Sequence, residues 1–134
     1  MLTVEELMTR DLVTLKEDDD IVRGDDLLAE YDIRHLPVVK DGRLVGLVSH
    51  RDLIRALARQ ERAPGAPPQQ VRDIMTRSVE TLKPRSSVRE AIHKMLDHKF
   101  GCVPVVEDGD RLVGILTETD LIRLAGKLLD REER

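Results

Sequence analysis

The chain has 134 residues and a mass of 15.2 kDa, with 26 acidic and 22 basic side chains and a formal net charge of −4 at pH 7. An apolar fraction of 40% excludes a globally disordered chain, and the absence of a basic surplus disfavours a non-specific nucleic-acid binder. Tyr31 and Phe100 are the aromatic residues and Trp is absent, so the stacking platforms of single-strand binders are missing as well.

Three further features of the sequence predict a cytoplasmic protein. Cys102 is the single cysteine, which excludes a disulfide framework and a cysteine-based zinc site. Residues 1–6 have neither the basic segment nor the apolar core of a signal peptide. Apolar runs reach only about five residues, far short of the roughly 20 that a membrane span needs.

The chain contains an internal duplication, in which the pattern that opens at Val4 returns at Val71. The matching segments are Met8-Thr9-Arg10 with Met75-Thr76-Arg77, Thr14-Leu15-Lys16 with Thr81-Leu82-Lys83, Pro37-Val38-Val39 with Pro104-Val105-Val106, and Asp52-Leu53-Ile54-Arg55 with Asp120-Leu121-Ile122-Arg123. The duplication predicts one motif over residues 1–62 and a second over 71–127. A Pro- and Gly-containing linker over 63–70 joins them, and residues 128–134 form a charged helix end.

The first copy contains clear start and turn signals. Asp20 is a helix N-cap candidate, and Asp41-Gly42 between two apolar runs predicts a tight hairpin. Gly24 is a poor helix former inside the predicted first long helix. The predicted elements, in chain order, are a helical turn at 4–8, a short strand near 13–15, a helix over 21–31, strands over 36–40 and 43–48, and a helix over 51–59.

The second copy repeats this plan. Ser87 and Glu90 have the spacing of a capping box at the start of a helix over 88–98, strands follow over 103–107 and 111–116, and the last helix starts near Thr119. That helix carries an apolar stripe formed by Leu121, Leu124, Ala125, Leu128 and Leu129. The predicted fold class is α+β (α/β), with two β-α-β-β-α repeats packed sheet to sheet about a pseudo-twofold axis.

The same spacing of a hydroxyl and a carboxylate follows the last strand of each copy, as Ser49 with Asp52 and as Thr117 with Asp120. One interpretation is a local capping box. The other is a ligand site, in which unpaired helix N–H groups bind phosphate and the carboxylate accepts two hydrogen bonds from a ribose diol. The two interpretations are compatible. A strand-centre glycine before each segment indicates relief of twist or close approach of a ligand.

These segments together resemble a tandem pair of CBS domains, the regulatory module first named from cystathionine beta-synthase. The resemblance covers about residues 3–126 and rests on the Met-Thr openings, the Pro-Val-Val strands, and the segments Gly46-Leu47-Val48-Ser49-His50-Arg51-Asp52 and Gly114-Ile115-Leu116-Thr117-Glu118-Thr119-Asp120. Such pairs typically bind AMP, ADP, ATP, S-adenosylmethionine or sometimes NAD in clefts between the two sheets.

The resemblance implies a role for particular residues. Those implied are Asp52 and Asp120 for the ribose; Ser49, His50, Arg51, Thr117 and Thr119 for phosphate; and Thr14, Leu36, Val38, Thr81, Val103 and Val105 for the base. Two departures from the family pattern stand out. Gly24-Asp25-Asp26 lies in a helix that is usually apolar, and Glu118 replaces His50, which disfavours a multiply charged phosphate in the second site.

Other chemistry is disfavoured. His93 and His98 do not share a helix face, so no metal site is predicted, and His35 and Cys102 are expected in the core or a cleft wall rather than as a catalytic pair. The prediction is therefore a non-enzymatic homodimer that senses an adenine nucleotide or adenosyl ligand and needs no cofactor. It acts on an unknown protein target, without membrane or nucleic acid. The alternative is a ligand-free oligomerisation or interaction scaffold.

Overall fold

The computed structural model describes residues 1–31 and 33–133; Asp32 of the first predicted motif and Arg134 of the predicted helix end lie outside the described residues. The predicted mixed α/β class is confirmed. The elements in chain order are α1 (Val4–Leu7), α2 (Ile21–Tyr31), β1 (His35–Lys40), β2 (Arg43–Ser49), α3 (His50–Arg62), α4 (Val71–Ile74), α5 (Val88–His98), β3 (Cys102–Glu107), a 3-10 turn (Asp108–Asp110), β4 (Arg111–Thr117) and α6 (Glu118–Glu132).

The chain divides into two compact units whose boundaries differ from those of the sequence repeats. The first unit is Val13–Val79, and the second combines Met1–Leu12 with Glu80–Arg134. Each unit therefore takes its short opening helix from the other repeat. Backbone hydrogen bonds secure the exchanged helices: the N–H of Val71 donates to the carbonyl of Asp19, and that of Val4 to the carbonyl of Ser86, both at 2.8 Å.

One antiparallel hairpin forms the centre of each unit. β1 pairs with β2, and β3 pairs with β4. Asp41 and Gly42 have φ values of 52° and 78°, the left-handed pair of a type I′ turn, which confirms the predicted hairpin. In the second unit Asp110 lengthens the turn, and there Gly109 and Asp110 take the left-handed values of 76° and 61°.

The strand predicted near residues 13–15 is wrong, because Leu15 makes only an isolated parallel bridge to Val38 of β1. The chain turns away directly afterwards. The N–H of Lys16 donates to the Asp19 carboxylate at 2.8 Å, and the N–H of Asp19 donates back to the Lys16 carbonyl at 3.1 Å. The second repeat behaves in the same way, with an isolated bridge between Leu82 and Val105.

The N-caps predicted at Asp20 and Ser87 are confirmed, but within the described residues the Glu90 side chain does not complete the capping box predicted at Ser87. The Asp20 carboxylate accepts from the N–H of Val22 at 2.8 Å at the start of α2. The Ser87 hydroxyl accepts from the N–H of Glu90 at 3.0 Å at the start of α5. The helices after the hairpins begin at His50 and Glu118, one residue before their predicted starts.

A close helix contact explains the glycine inside α2. A Cβ built on Gly24 would lie 3.2 Å from both methyl carbons of Leu53 on α3, and Leu53 is fully buried. Gly24 weakens α2 as a helix former, but its missing side chain permits α2 to pack closely on α3. The core of this unit consists of Leu15, Ile21, Leu27, Leu28, Leu36, Val38, Val48, Leu53, Ala56, Val71 and Met75.

The glycine at the centre of β2 and the one at the centre of β4 each leave room for a methionine side chain. A Cβ on Gly46 would lie 2.7 Å from the sulfur of Met75, and one on Gly114 would lie 2.4 Å from the sulfur of Met8. The close approach anticipated for a ligand is thus made by a methionine of the exchanged opening segment. In the second unit this methionine belongs to a core of Val4, Met8, Leu82, Ala91, Met95, Val103, Val105 and Leu116.

The predicted apolar stripe on α6 is only partly covered. Leu121 and Leu124 are half-buried, whereas Leu128 and Leu129 are 51% and 58% exposed. Across residues 1–31 and 33–133, no helix combines the length and apolar composition that crossing a bilayer requires.

Candidate functional site

The junction between β2 and α3 is a complete capping box. The Asp52 carboxylate accepts from the N–H of Ser49 at 3.0 Å, and the Ser49 hydroxyl accepts from the N–H of Asp52 at 3.1 Å. Each side chain therefore satisfies a helix donor that would otherwise lack a partner. The carboxylate is held by the backbone at the end of the strand, in a half-buried position.

The junction between β4 and α6 repeats this geometry with one more hydrogen bond. The Asp120 carboxylate accepts from the N–H of Thr117 at 2.9 Å, and the Thr117 hydroxyl lies 3.3 Å from the N–H of Asp120. The same hydroxyl also donates to Oδ2 of Asp120 at 3.1 Å. The capping interpretation is therefore confirmed in both repeats.

Most N–H groups at the starts of α3 and α6 donate to acceptors within the protein, so few of them are left to bind a phosphate. Besides the two capping bonds, the N–H of His50 donates to the carbonyl of Arg34 at 2.8 Å, and that of Glu118 to the carbonyl of Gly101 at 3.1 Å. Three of the four donors that a helix start leaves without an intrahelical partner are thus paired. The fourth belongs to Arg51 in α3 and to Thr119 in α6, so each helix start leaves a single backbone donor for an anion instead of the several that the phosphate interpretation assumed.

The two carboxylates differ in their surroundings. Asp120 is 6% exposed, and its Oδ1 accepts from the hydroxyl of Thr9 at 3.1 Å and faces the guanidinium of Arg123 at 3.7 Å. Within the described part of the chain, neither the equivalent Thr76 nor Arg55 makes a side-chain hydrogen bond or ion pair with Asp52. Thr9 cannot be identified from the sequence as a partner of Asp120, because no local pattern links residues that lie so far apart in the chain.

Four of the six residues implied for base binding are core residues. Leu36, Val38, Val103 and Val105 have no exposed surface. In this structure neither their side chains nor their backbone groups reach the solvent. The two threonines of this set are half-buried and precede the isolated bridges at Leu15 and Leu82, which places them at the edges of β1 and β3.

The exposed residues at the two junctions carry opposite charges. His50 and Arg51 are exposed at the start of α3, whereas Glu118 and Thr119 are exposed at the start of α6. Because like charges repel, the first junction favours an anion more than the second does, by an amount that salt reduces.

The single cysteine, Cys102, is buried at the start of β3. Burial, with a smaller contribution from the Glu118 carboxylate, raises the pKa of the Cys102 thiol to about 12. The thiol is therefore protonated near neutral pH and is a poor nucleophile. Among the residues that the structure describes, no group of three or more His, Cys, Asp or Glu side chains is placed to hold a metal ion.

Both repeats match the same protein family. Residues 4–59 and 71–127 each match the CBS domain. The chain belongs to the CBS domain family. It spans about a quarter of the length of the curated relatives it matches, whose names are those of enzymes such as L-aspartate semialdehyde sulfurtransferase and homoserine O-acetyltransferase.

Solved structures of similar proteins cover between 95% and 100% of the chain. It is 34% identical to a putative acetoin utilization protein (AcuB) from Vibrio cholerae, with a TM-score of 0.91 and coverage of 100% of this chain and 98% of that one. The CBS domain pair of protein MJ0100, in complex with 5′-methylthioadenosine and S-adenosylmethionine, is 31% identical with a TM-score of 0.83, covering 95% and 98%. CBSX2 from Arabidopsis thaliana, in complex with AMP, is 29% identical with a TM-score of 0.84, covering 96% and 98%.

Proposed function

We propose that this chain is a non-enzymatic regulatory module that binds an adenosine-containing ligand, such as AMP, ADP, ATP or S-adenosylmethionine, at its two strand-to-helix junctions. The observation that carries the proposal is the repeated carboxylate, Asp52 and Asp120, which backbone N–H groups hold at equivalent places. A fixed carboxylate at the end of a strand suits a ribose diol. The CBS pairs solved with AMP, 5′-methylthioadenosine and S-adenosylmethionine support this ligand class.

Regulation in this proposal follows from population shift. A ligand that prefers one arrangement of the protein stabilises that arrangement, and so changes the surface presented to a protein target. The module acts in the cytoplasm and without a membrane or nucleic-acid partner. The competing function is a scaffold whose junctions remain empty, and ligand binding distinguishes the two.

Substitution of either carboxylate tests the proposal. Titration calorimetry with AMP, ADP, ATP, S-adenosylmethionine and NAD is expected to show binding to the native protein. Asp52→Ala and Asp120→Ala should each weaken their own site by about 1.5–3 kcal/mol, or roughly 10- to 150-fold, because two ribose hydroxyls lose a charged acceptor.

A capping carboxylate away from the junctions provides the control. Asp73 accepts from the N–H of Gln70 at 3.0 Å at the start of α4, so Asp73→Ala removes the same kind of cap without touching the proposed site. It should leave ligand affinity unchanged. If none of the five compounds binds the native protein at millimolar concentration, the scaffold function is supported instead.

The charge difference between the junctions predicts their ligand preference. In this proposal, His50, Arg51 and Ser49 bind the phosphates of the first site, and Thr117 and Thr119 do so in the second. The first site therefore prefers more phosphate groups, and the second prefers AMP or an adenosyl ligand with an uncharged tail.

The homodimer is the second part of the proposal. Ile54 on α3 and Ile122 on α6 occupy equivalent positions in the two repeats and are 51% and 69% exposed. A buried isoleucine contributes about 1.5–3 kcal/mol relative to an exposed one. Because both repeats present the same apolar side chain, each unit offers an exposed isoleucine that a second copy can bury.

Light scattering tests the dimer. We expect the native protein to have twice its chain mass of 15.2 kDa, and Ile54→Glu and Ile122→Glu to shift it toward the monomer. Leu96→Glu is the matched control, since Leu96 is also exposed, at 70%, but lies on α5. A monomeric native protein at micromolar concentration would contradict this part of the proposal.

A further inference from the structure

The two ribose carboxylates have different numbers of acceptor positions left for a ligand. An ionised carboxylate offers about four lone-pair positions, two on each oxygen. Asp52 uses one of them, on Oδ2, for the N–H of Ser49. The other three remain, so both hydroxyls of a ribose diol can donate to Asp52 without displacing a protein group.

Asp120 is already close to saturation. Its Oδ2 accepts from both the N–H and the hydroxyl of Thr117, and its Oδ1 accepts from the hydroxyl of Thr9. One lone-pair position remains, on the oxygen that also faces Arg123 at 3.7 Å. A diol with two donors therefore has to displace one hydrogen bond that the protein makes to itself.

The Thr9 hydroxyl is the group that can give way. The Thr117 hydroxyl belongs to the cap of α6, whereas the Thr9 side chain takes no part in a helix cap. The Thr9 backbone is fixed to β4 by reciprocal bonds with Ile115 at 2.9 and 3.0 Å. Its release therefore needs only rotation of the side chain and the loss of one hydrogen bond.

We propose that Thr9 gates the second ligand site: its hydroxyl occupies the Asp120 carboxylate in the empty protein and must leave before a ribose diol binds with both hydroxyls. Thr9 is thus a positioning residue that acts through Asp120. The inference rests on the proposed function and adds an order of binding to it. The Asp52 site fills first, and the Asp120 site fills at a higher ligand concentration because Thr9 competes there.

Thr76 occupies the position in the first unit that Thr9 occupies in the second, but it does not gate the Asp52 site. Thr76 has the same reciprocal backbone bonds to β2, with Leu47 at 2.9 and 3.0 Å. Its side chain is exposed, and within residues 1–31 and 33–133 it makes no hydrogen bond to Asp52. Thr76→Val is therefore a control that changes the same residue type in the same backbone setting.

Single-site titrations test the gate. Calorimetry with AMP and with S-adenosylmethionine is carried out in the Asp52→Ala background, where the first site is weakened about 10- to 150-fold and the Asp120 site is titrated at concentrations below the range of the weakened site. Adding Thr9→Val, which keeps the shape and removes the hydroxyl, is expected to raise the affinity about three- to tenfold, the equivalent of one net hydrogen bond. Thr9→Ser keeps the hydroxyl and should match the Asp52→Ala parent.

The control titration uses the other site. In the Asp120→Ala background, Thr76→Val is expected to leave the affinity of the Asp52 site unchanged. Equal or weaker binding after Thr9→Val would overturn the gate and leave the proposed function intact. Stronger binding supports the gate, because the loss of a threonine with a merely structural role is not expected to raise ligand affinity. Absence of binding by the native protein would overturn the proposed function and the gate with it.

Discussion

Leu53→Ala is expected to lower the free energy of unfolding by about 2–5 kcal/mol, the range for removing a large aliphatic side chain from a packed core. Leu53 follows Asp52 directly in the chain and is fully buried. Both of its methyl carbons face the backbone of Gly24. Since α2 and α3 are already packed closely at this point, the surrounding side chains have little freedom to fill the cavity, and the upper half of the range is expected.

Chemical denaturation measures this effect. Leu96→Ala provides the comparison, because that leucine is 70% exposed and its truncation should change the free energy of unfolding by less than about 0.5 kcal/mol. A Leu53→Ala effect as small as that of Leu96→Ala would mean that the contact between α2 and α3 is not close-packed in solution.

Gly114→Ala is expected to destabilise the second unit by about 1–3 kcal/mol, the usual cost of overpacking a core. The new Cβ would lie 2.4 Å from the sulfur of Met8 and 2.9 Å from its Cγ, so the methionine or the strand has to move. Gly46→Ala should act in the same way in the first unit, where the carbonyl of Thr76 also lies 3.1 Å away.

A double-mutant cycle identifies the cause. Met8→Ala creates a cavity by itself, but combined with Gly114→Ala it also removes the steric clash, so the double variant should be more stable than the sum of the two single effects predicts. Gly126→Ala is the matched control. A Cβ there meets nothing within 4 Å, and alanine should stabilise the middle of α6 by about 0.4–1 kcal/mol. Strict additivity between Met8 and Gly114 would show that they do not touch.

Most of the local structure could be predicted from the sequence, because it depends on residues only a few positions apart. Asp41-Gly42 specifies a type I′ turn through its left-handed backbone, and the Ser49–Asp52 pair forms a cap across three residues. The prediction near residues 13–15 was wrong because strand propensity competes there with a turn in which Asp19 binds the N–H of Lys16.

The candidate site could be predicted in part. Asp52, Asp120 and their hydroxyl partners were identified from spacing, and the structure confirms their capping contacts. The use of the N–H groups of His50 and Glu118 by distant carbonyls could not be predicted, because the acceptors lie before the preceding hairpin. The full burial of Leu36 and Val38 depends on which face of β1 meets the core.

The sequence by itself determined that the chain is a duplicated α/β protein of the CBS type. The motifs of the repeat, the hairpins and the caps each depend on residues that lie only a few positions apart. The tertiary structure alone decided that each compact unit is completed by the opening segment of the other repeat. It also decided that Met8 fills the space over Gly114 and that Thr9 binds Asp120. These contacts join residues that lie far apart in the chain. Local propensity and periodicity cannot predict them, because they form only when the whole core packs.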